Sequence, residues 1–185
     1  MTRKRPHDDT SWIEAARQGD PAAFESLLRA HVNSVYAHGL RFFGDPSTAD
    51  DVVQEVFVKV YRSLDTYDGR AAFSTWLFRI TRNVCLDMVR RGARRPIPVD
   101  PFDLIATRTA PDHAQGVVDM AAVEEAIRVL QPEDREALGA VTLFGLSYAE
   151  AAEALSVPVG TVKSRVFRAR RMLVSLLDPE GGDTS

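Results

Sequence analysis

The chain has 185 residues, of which 45% are hydrophobic and 26% are charged, and its formal net charge is −3. These values lie near the averages for soluble globular proteins and argue against wholesale disorder. The single cysteine, Cys85, excludes an intramolecular disulfide, and no run of eighteen apolar residues occurs. We therefore expect a cytoplasmic protein whose chain does not insert into a membrane.

The acidic average hides two basic stretches. From Arg79 to Arg95 there are six arginines against one acid, Asp87, and from Val157 to Leu173 there are five basic residues and no acid. Proteins that bind nucleic acids usually concentrate positive charge on part of their surface. The two stretches are therefore candidates for nucleic-acid contact in an otherwise acidic chain.

The first basic stretch ends a region, residues 11–95, in which apolar residues recur every three or four positions without strand-like alternation. Breaks at 19–21, 44–47 and 65–72 divide this region into four predicted helices. The ten residues before it are predicted to be disordered. We expect one of these helices to begin at Asp50, with acids at its positive end.

A second helical region is predicted at 117–178, followed by a short tail at 179–185. Between the two regions, residues 96–116 are rich in proline and aspartate and show little periodicity. A structureless connection of about twenty residues is unusual inside one compact domain. The sequence therefore predicts an all-α protein made of two small helical domains joined by a flexible linker.

The second region contains a predicted helix-turn-helix. Ser147 and Glu150 have capping-box spacing at the start of one helix, and a second helix from Val159 carries an apolar stripe with a cationic face opposite it. Such a face can be a solvated surface or a DNA-reading helix. The cap, the tight turn and the absence of acids on that face together favour the DNA-reading helix.

The residues LSYAEAAEAL at 146–155 and VPVGTVKSRVFRARRML at 157–173 closely resemble the sigma-four domain of extracytoplasmic-function (ECF) sigma factors. Ser156 departs from the glycine usual in the family, and a left-handed serine there costs up to about 1 kcal/mol. The resemblance implies that the second helix contacts the minus-thirty-five promoter element. The implied contact residues are Thr161, Lys163, Ser164, Arg165 and Arg168.

In the first region, DDVVQEVFVKV at 50–60 resembles the family's stretch that docks on the clamp helices of the largest polymerase subunit. The implied contacts with core polymerase are Asp51, Gln54, Glu55 and Lys59. Metal binding by Asp50, Asp51 and Glu55 is the competing interpretation, but adjacent aspartates diverge by about 100° around a helix. We therefore predict no metal at this cluster.

FSTWLFRITRNVCLDMVRR at 73–91 and the preceding YDGRAA loop resemble the part of the family that opens the minus-ten element and traps an unstacked base. Trp76 fits the apolar stripe of a core helix, whereas the arginines do not. Tyr67 can either stack on a base or pack in the protein. The implied minus-ten contacts are Tyr67, Asp68, Gly69, Arg70, Arg79, Asn83, Arg90 and Arg91.

The resemblance extends from about residue 11 to residue 177, and it implies a sigma factor that works by binding, without catalysis or a cofactor. The implied partners are core RNA polymerase, through the clamp helices and the flap region of the second-largest subunit, promoter DNA, and an anti-sigma factor. Two other classes remain as alternatives. One is a stand-alone helix-turn-helix regulator, and the other is a metal-dependent nuclease that uses the acidic cluster.

Overall fold

The computed structural model describes residues 9–93 and 120–177, so the predicted linker at 96–116 lies outside the described residues. All regular structure in the described residues is helical, which confirms the all-α prediction. A short 3-10 helix, Leu64–Thr66, precedes α4. The eight α-helices are α1 (Thr10–Arg17), α2 (Pro21–Phe43), α3 (Pro46–Ser63), α4 (Phe73–Ala93), α5 (Met120–Val129), α6 (Pro132–Thr142), α7 (Tyr148–Leu155) and α8 (Val159–Leu177).

Aspartate–proline pairs start α2 and α3. The Asp20 carboxylate accepts a hydrogen bond from the Ala22 amide at 2.8 Å, and the Asp45 carboxylate accepts one from the Thr48 amide at 2.7 Å. The following prolines fit the first helical turn, where their missing N–H has no partner to lose. The predicted start of α3 at Asp50 was therefore wrong, because the Asp45 cap begins the helix four residues earlier.

The core of the first domain lies between α2, α3 and α4. Val52, Val56 and Val60 are fully buried on one face of α3, and Leu77 and Phe78 are fully buried on α4. This spacing is the apolar stripe that the sequence predicts. With this stripe buried, the polar residues of α3 lie on the opposite, solvent-facing side of the helix.

The second domain contains the predicted helix-turn-helix, formed by α7 and α8. The capping box is present, since the Ser147 side chain accepts from the Glu150 amide at 3.2 Å and the Glu150 carboxylate accepts from the Ser147 amide at 2.8 Å. Ser156 ends α7 in the left-handed conformation, with φ of 56°. Val162 and Val166 are buried, which leaves the cationic side of α8 outward.

The two domains pack against each other. Phe144, between α6 and α7, is only 6% exposed and meets Phe78 edge-on, with ring centroids 5.2 Å apart. The Ser34 hydroxyl on α2 donates to the Leu143 carbonyl at 2.7 Å, and Arg135 on α6 donates to the Arg41 carbonyl at 3.0 Å. We call this contact between α1–α4 and α5–α8 the domain interface.

Candidate polymerase and nucleic-acid interfaces

The outer face of α3 carries the four predicted polymerase contacts. Asp51, Gln54 and Lys59 are exposed, and Glu55 is half-buried. Glu55 accepts two hydrogen bonds from Arg91 on α4, at 2.8 and 2.7 Å. The side chain of Glu55 is therefore fixed by a cation of the neighbouring helix.

Two apolar residues on α3 were missed by the sequence reasoning. Val58 is 47% exposed and Tyr61 is 71% exposed, although both follow a stretch of buried valines. The Tyr61 ring packs edge-on against Phe24 of α2, with centroids 5.2 Å apart. The available signal was their position on the helix. Residue 58 lies three and four residues after the predicted contacts at 55 and 54, and residue 61 lies three residues after 58. An exposed tyrosine anchored at its edge is a typical protein-contact residue.

The loop at 67–72, which precedes α4, exposes its tip, whereas its first residue is half-buried. Tyr67 lies 5.3 Å from the Trp76 ring and 5.7 Å from the Phe73 ring, centroid to centroid, and its hydroxyl donates to the Ala71 carbonyl at 2.7 Å. Burial raises the pKa of the Tyr67 phenol, and the nearby Asp9 and Asp68 carboxylates act in the same direction. In this conformation the Tyr67 ring is half-buried and packs against Phe73 and Trp76. Trp76 also packs in the protein, against the rings of Tyr67 and Phe73.

The other residues of this loop point outward. The Asp68 carboxylate accepts from the Arg70 amide at 3.0 Å and also pairs with the Arg70 guanidinium at 3.3 Å. Gly69 has φ of 73°, and a Cβ there would meet nothing within 4 Å. Its role is therefore conformational, since it supplies a left-handed turn at an open loop tip.

The predicted minus-ten cations on α4 are all engaged by acids. Arg90 pairs with Asp87 at 3.3 Å, and Lys59 of α3 pairs with the same carboxylate. These cations lower the pKa of Asp87, chiefly through the Lys59 hydrogen bond, and Glu55 raises the pKa of Arg91. In contrast, the Asn83 amide is exposed and makes no hydrogen bond to another described residue.

The middle of α4 meets acids from the second domain. Arg79 pairs with Glu153 at 2.7 Å, and Arg82 pairs with Glu136 at 2.5 Å. The Thr75 hydroxyl donates weakly to Glu150 at 3.4 Å. The sequence reasoning missed these three acids, because it considered Glu150 only as a helix cap. The sequence shows these acids on predicted helices, but it could not show their partners, which are more than fifty residues away in the chain.

A buried histidine lies near the contact between α4 and the second domain. His38 is 4% exposed and packs between Phe78 and Phe144, and burial, with smaller effects of Arg41 and Arg82, lowers its pKa to about 4. A cavity of about 380 Å³ lies beside it, with Arg82, Glu136 and apolar side chains in its walls. His38 is therefore neutral near pH 7 and belongs to the domain interface.

The predicted minus-thirty-five residues lie together on the outer side of α8. Lys163, Ser164 and Arg168 are exposed, and Thr161 and Arg165 are half-buried. The Ser164 hydroxyl donates to the Thr161 carbonyl at 2.9 Å. Within residues 9–93 and 120–177, four cations of this helix form no ion pair, namely Lys163, Arg165, Arg170 and Arg171.

Arg168 differs from its neighbours on α8. Its Nε donates to Asp134 at 3.0 Å and its Nη2 donates to the other oxygen of that carboxylate at 2.6 Å. Asp134 is only 6% exposed at the start of α6, so the pair fixes α8 against α6. The hydrogen bonds that Arg168 donates to the Asp134 carboxylate raise the pKa of Arg168. Only the outer edge of this guanidinium is left for another partner.

Two further findings concern the part of the chain that the structure describes. No three histidine, cysteine, aspartate or glutamate side chains there are grouped so that they could hold a metal ion. None of its helices has the length and apolar character needed to cross a membrane.

Comparison with known proteins identifies both domains. Residues 27–95 match the family of Sigma-70 region 2, and residues 120–173 match that of Sigma-70, region 4. The chain is 34% identical to RNA polymerase sigma-H factor of Pseudomonas aeruginosa over 92% of this chain and 94% of that protein. It is 35% identical to the ECF RNA polymerase sigma-E factor of Escherichia coli over 92% of this chain and 95% of that protein.

A solved structure gives the same architecture. The sigma factor RpoE from Bartonella quintana, crystallised with the anti-sigma factor NepR, is 29% identical, with a TM-score of 0.68 over 85% of this chain and 98% of that one. The helix order, the helix-turn-helix and the two matched families agree with one another. The chain therefore belongs to the extracytoplasmic-function family of RNA polymerase sigma factors, the subunits that direct core polymerase to promoters.

Proposed function

We propose that this sigma factor works through three surfaces and contributes no catalytic group of its own. The outer face of α3 binds the clamp helices of core polymerase, α4 with the loop at 67–72 opens the minus-ten element, and α8 reads the minus-thirty-five element. The second domain also contacts the flap region of the second-largest subunit. The observation that carries this proposal is the cationic face of α8, whose Lys163, Arg165, Arg170 and Arg171 make no ion pair in the described chain.

On α8, Arg165 is the best candidate for reading a base, because guanidinium groups bond guanine edges bidentately. Lys163 and Ser164 suit phosphates, which hold the helix in the groove without specifying sequence. Arg168 uses Nε and Nη2 on Asp134, so only its outward N–H groups, on Nη1 and Nη2, are left for DNA. We propose that Arg168 contacts a phosphate while it holds α8 in place.

On the first domain, Asp51, Gln54, Glu55 and Lys59 form the polar part of the polymerase surface, and exposed Val58 and Tyr61 add an apolar part. Hot spots of protein interfaces commonly contain such a partly anchored tyrosine. Asn83, whose amide both donates and accepts, is proposed to contact the captured base. Asp68, Gly69 and Arg70 form the open edge of the capture loop, and Tyr67 supports that loop from below.

Arg79 and Arg82 reach DNA only after the second domain moves away from α4. Glu136 and Glu153 occupy these guanidinium groups in the free chain, and DNA phosphates compete for the same donors. We propose that binding to core polymerase separates the two domains. An anti-sigma factor, the kind of partner that the Bartonella protein has in its crystal structure, is proposed to favour a form in which these surfaces stay covered.

These activities place the protein in the cytoplasm, where polymerase acts. A stand-alone regulator is not favoured, because such a protein has no need of a Sigma-70 region 2 domain. The test is run-off transcription with purified core polymerase on a fragment library. Transcripts that start at fixed sites and share two upstream elements support the proposal, and Arg165→Ala and Asn83→Ala should weaken them. Sequence-specific duplex binding by the chain alone, without core-dependent initiation, would contradict it.

A further inference from the structure

The loop at 67–72 is held by a residue outside the predicted DNA surfaces. Arg17, the last residue of α1, donates from Nε and from Nη2 to the Leu64 carbonyl, both at 3.1 Å. Its Nη2 also donates to the Tyr67 carbonyl, and its guanidinium carbon lies 5.9 Å from the centroid of the Tyr67 ring. One side chain of α1 therefore binds both ends of the turn that leads into the loop.

The loop is also tied to itself and to α4. The Tyr67 hydroxyl donates to the Ala71 carbonyl, which lies four residues further along the chain, and the Tyr67 ring packs against Phe73 and Trp76. Between these ties, Asp68, Gly69 and Arg70 are exposed. The first and last residues of the loop are fixed, and only its tip is open to a ligand.

Orientation of this loop matters because unstacking a base costs a few kcal/mol, which contacts in a shaped pocket must offset. A loop that must be ordered during capture loses part of that binding free energy as conformational entropy. The two carbonyls at the loop entrance match the fork of an arginine, in which Nε and Nη2 lie side by side. A lysine at the same position can reach these acceptors only as a single point charge.

We propose that Arg17 is a positioning residue for promoter melting, which sets the loop at 67–72 in the conformation that captures the unstacked minus-ten base. This role rests on the proposed function of the loop. Arg17 itself touches backbone carbonyls and the Tyr67 ring, and the residues that would touch DNA are those of the loop tip. α1 therefore takes part in melting although it carries none of the predicted contacts.

The experiment compares complete holoenzymes that contain the wild-type chain, Arg17→Ala, Arg17→Lys or Arg29→Ala. Arg29 is a matched control, because it is an exposed arginine that pairs with Glu25 at 2.6 Å within α2. The DNA is a promoter fragment selected from a library by the wild-type holoenzyme, together with the single non-template strand of its minus-ten element. Permanganate reactivity of thymines measures opening, and fluorescence anisotropy measures binding to core, to duplex and to the single strand.

We expect Arg17→Ala to reduce opening and single-strand affinity about tenfold, the effect of losing two or three hydrogen bonds. Binding to core and to the minus-thirty-five duplex should stay unchanged. Arg17→Lys should recover part of the loss, and Arg29→Ala should behave as wild type. Tyr67→Phe, which keeps the ring packing but lacks the bond to Ala71, should lower opening in the same direction.

Two results would overturn the positioning role. One is normal opening by Arg17→Ala in an assay where the wild-type holoenzyme opens its promoter. The other is an equal loss of core binding, duplex binding and opening, because a general loss of structure would then explain the variant. A wild-type chain that starts no transcripts with core polymerase would instead overturn the proposed function itself, and the role of Arg17 with it.

Discussion

The two cationic helices, α4 and α8, differ in what faces them. On α4, Arg79 and Arg82 meet acids of the second domain, while Arg90 and Arg91 meet acids of the first. On α8, within the described residues, Arg168 alone is paired with an acid. A run of arginines in a sequence therefore does not define an open nucleic-acid surface. Among the described residues, acids pair with all four arginines of α4 named here but with only one of the cations of α8.

The difference has a consequence for the order of events. Under the proposed function, α8 can meet a duplex as it stands, whereas Arg79 and Arg82 of α4 become available only when Glu153 and Glu136 leave them. Minus-ten contact should then depend on domain separation, and minus-thirty-five contact should not.

Removing the aromatic ring at the centre of the domain interface should have the largest effect. Phe144 is 6% exposed and packs on Phe78 and His38, so Phe144→Ala leaves a cavity. We expect the free energy of unfolding to fall by about 3 to 5 kcal/mol. Denaturant unfolding measures this change. Phe167→Ala, which truncates a 66% exposed ring on α8, is the control and should change stability by less than about 1 kcal/mol.

If Phe144→Ala is as stable as wild type, the ring does not fill the interface in solution. If it is destabilised, its single-strand binding at low denaturant should also rise relative to the control, because a looser interface exposes α4. If the variant is destabilised but its single-strand binding is unchanged, Phe144 stabilises the domain interface without that interface masking α4.

Acid should weaken the same interface through His38. Its folded pKa of about 4 lies below the ordinary value of 6.5, so the unfolded chain takes up the proton first as the pH falls. The stability is therefore complete above about pH 6.5 and declines toward pH 4, by about 3 kcal/mol in total. Unfolding measured at several pH values should show this decline in wild type and a smaller decline in His38→Leu. Equal slopes for the two proteins would contradict a buried, neutral His38.

On α8, substitutions of Arg165 and Arg168 should distinguish an effect on DNA binding alone from an effect on both DNA binding and stability. Arg165→Ala should weaken binding to the minus-thirty-five duplex by about tenfold or more, the usual effect of losing a base contact, and leave the melting temperature unchanged. Arg168→Ala should lower both, because it leaves the carboxylate of nearly buried Asp134 without its partner, at about 1 to 3 kcal/mol. Duplex titrations and thermal melts of the two variants make the comparison. Identical melting temperatures would remove the structural role of Arg168.

The smallest change in stability is expected at the rim of the interface. Arg79 and Glu153 are 37% and 72% exposed as side chains, so Glu153→Gln should change the free energy of unfolding by less than about 1 kcal/mol. Glu153→Gln should nevertheless change DNA binding, because the carboxylate that competes with DNA phosphates for Arg79 is gone. We expect tighter binding of single-stranded minus-ten DNA at low salt, with Glu25→Gln as an exposed control. Weaker binding by Glu153→Gln would contradict the masking of α4.

Much of the fold follows from local sequence signals. The capping box at Ser147 and Glu150 is set by neighbouring residues, and it was predicted and confirmed. A left-handed Ser156 was considered only as a condition, and the structure shows it. The start of α3 was predicted wrongly, although the Asp45-Pro46 pair that sets it is just as local, because the pair was interpreted only as a break. The predicted domain boundaries and contact residues stay predictions.

The sequence did not show which residues the arginines contact. Arg82 and Glu136 are 54 residues apart, and the predicted linker lies between them, so no spacing rule brings them together. Arg17 likewise meets Leu64 across 47 residues. Such pairs depend on how the helices pack. An apolar stripe shows which face of a helix is buried, but it does not show which residues that helix will meet. The packing of Tyr67, which the sequence left open, was decided by the same tertiary contacts.

The most direct test of the contrast between α4 and α8 is the distance between the two domains. Spin labels at exposed Asn33 on α2 and Glu133 on α6 report it by pulsed electron resonance. Cys85 is fully buried and its thiol pKa is raised to about 12, so it competes poorly for the label. A single short distance in the free chain, lengthened in the complex with core polymerase and promoter, is the predicted result. The same distance in both states, or a long one in the free chain, would contradict the account.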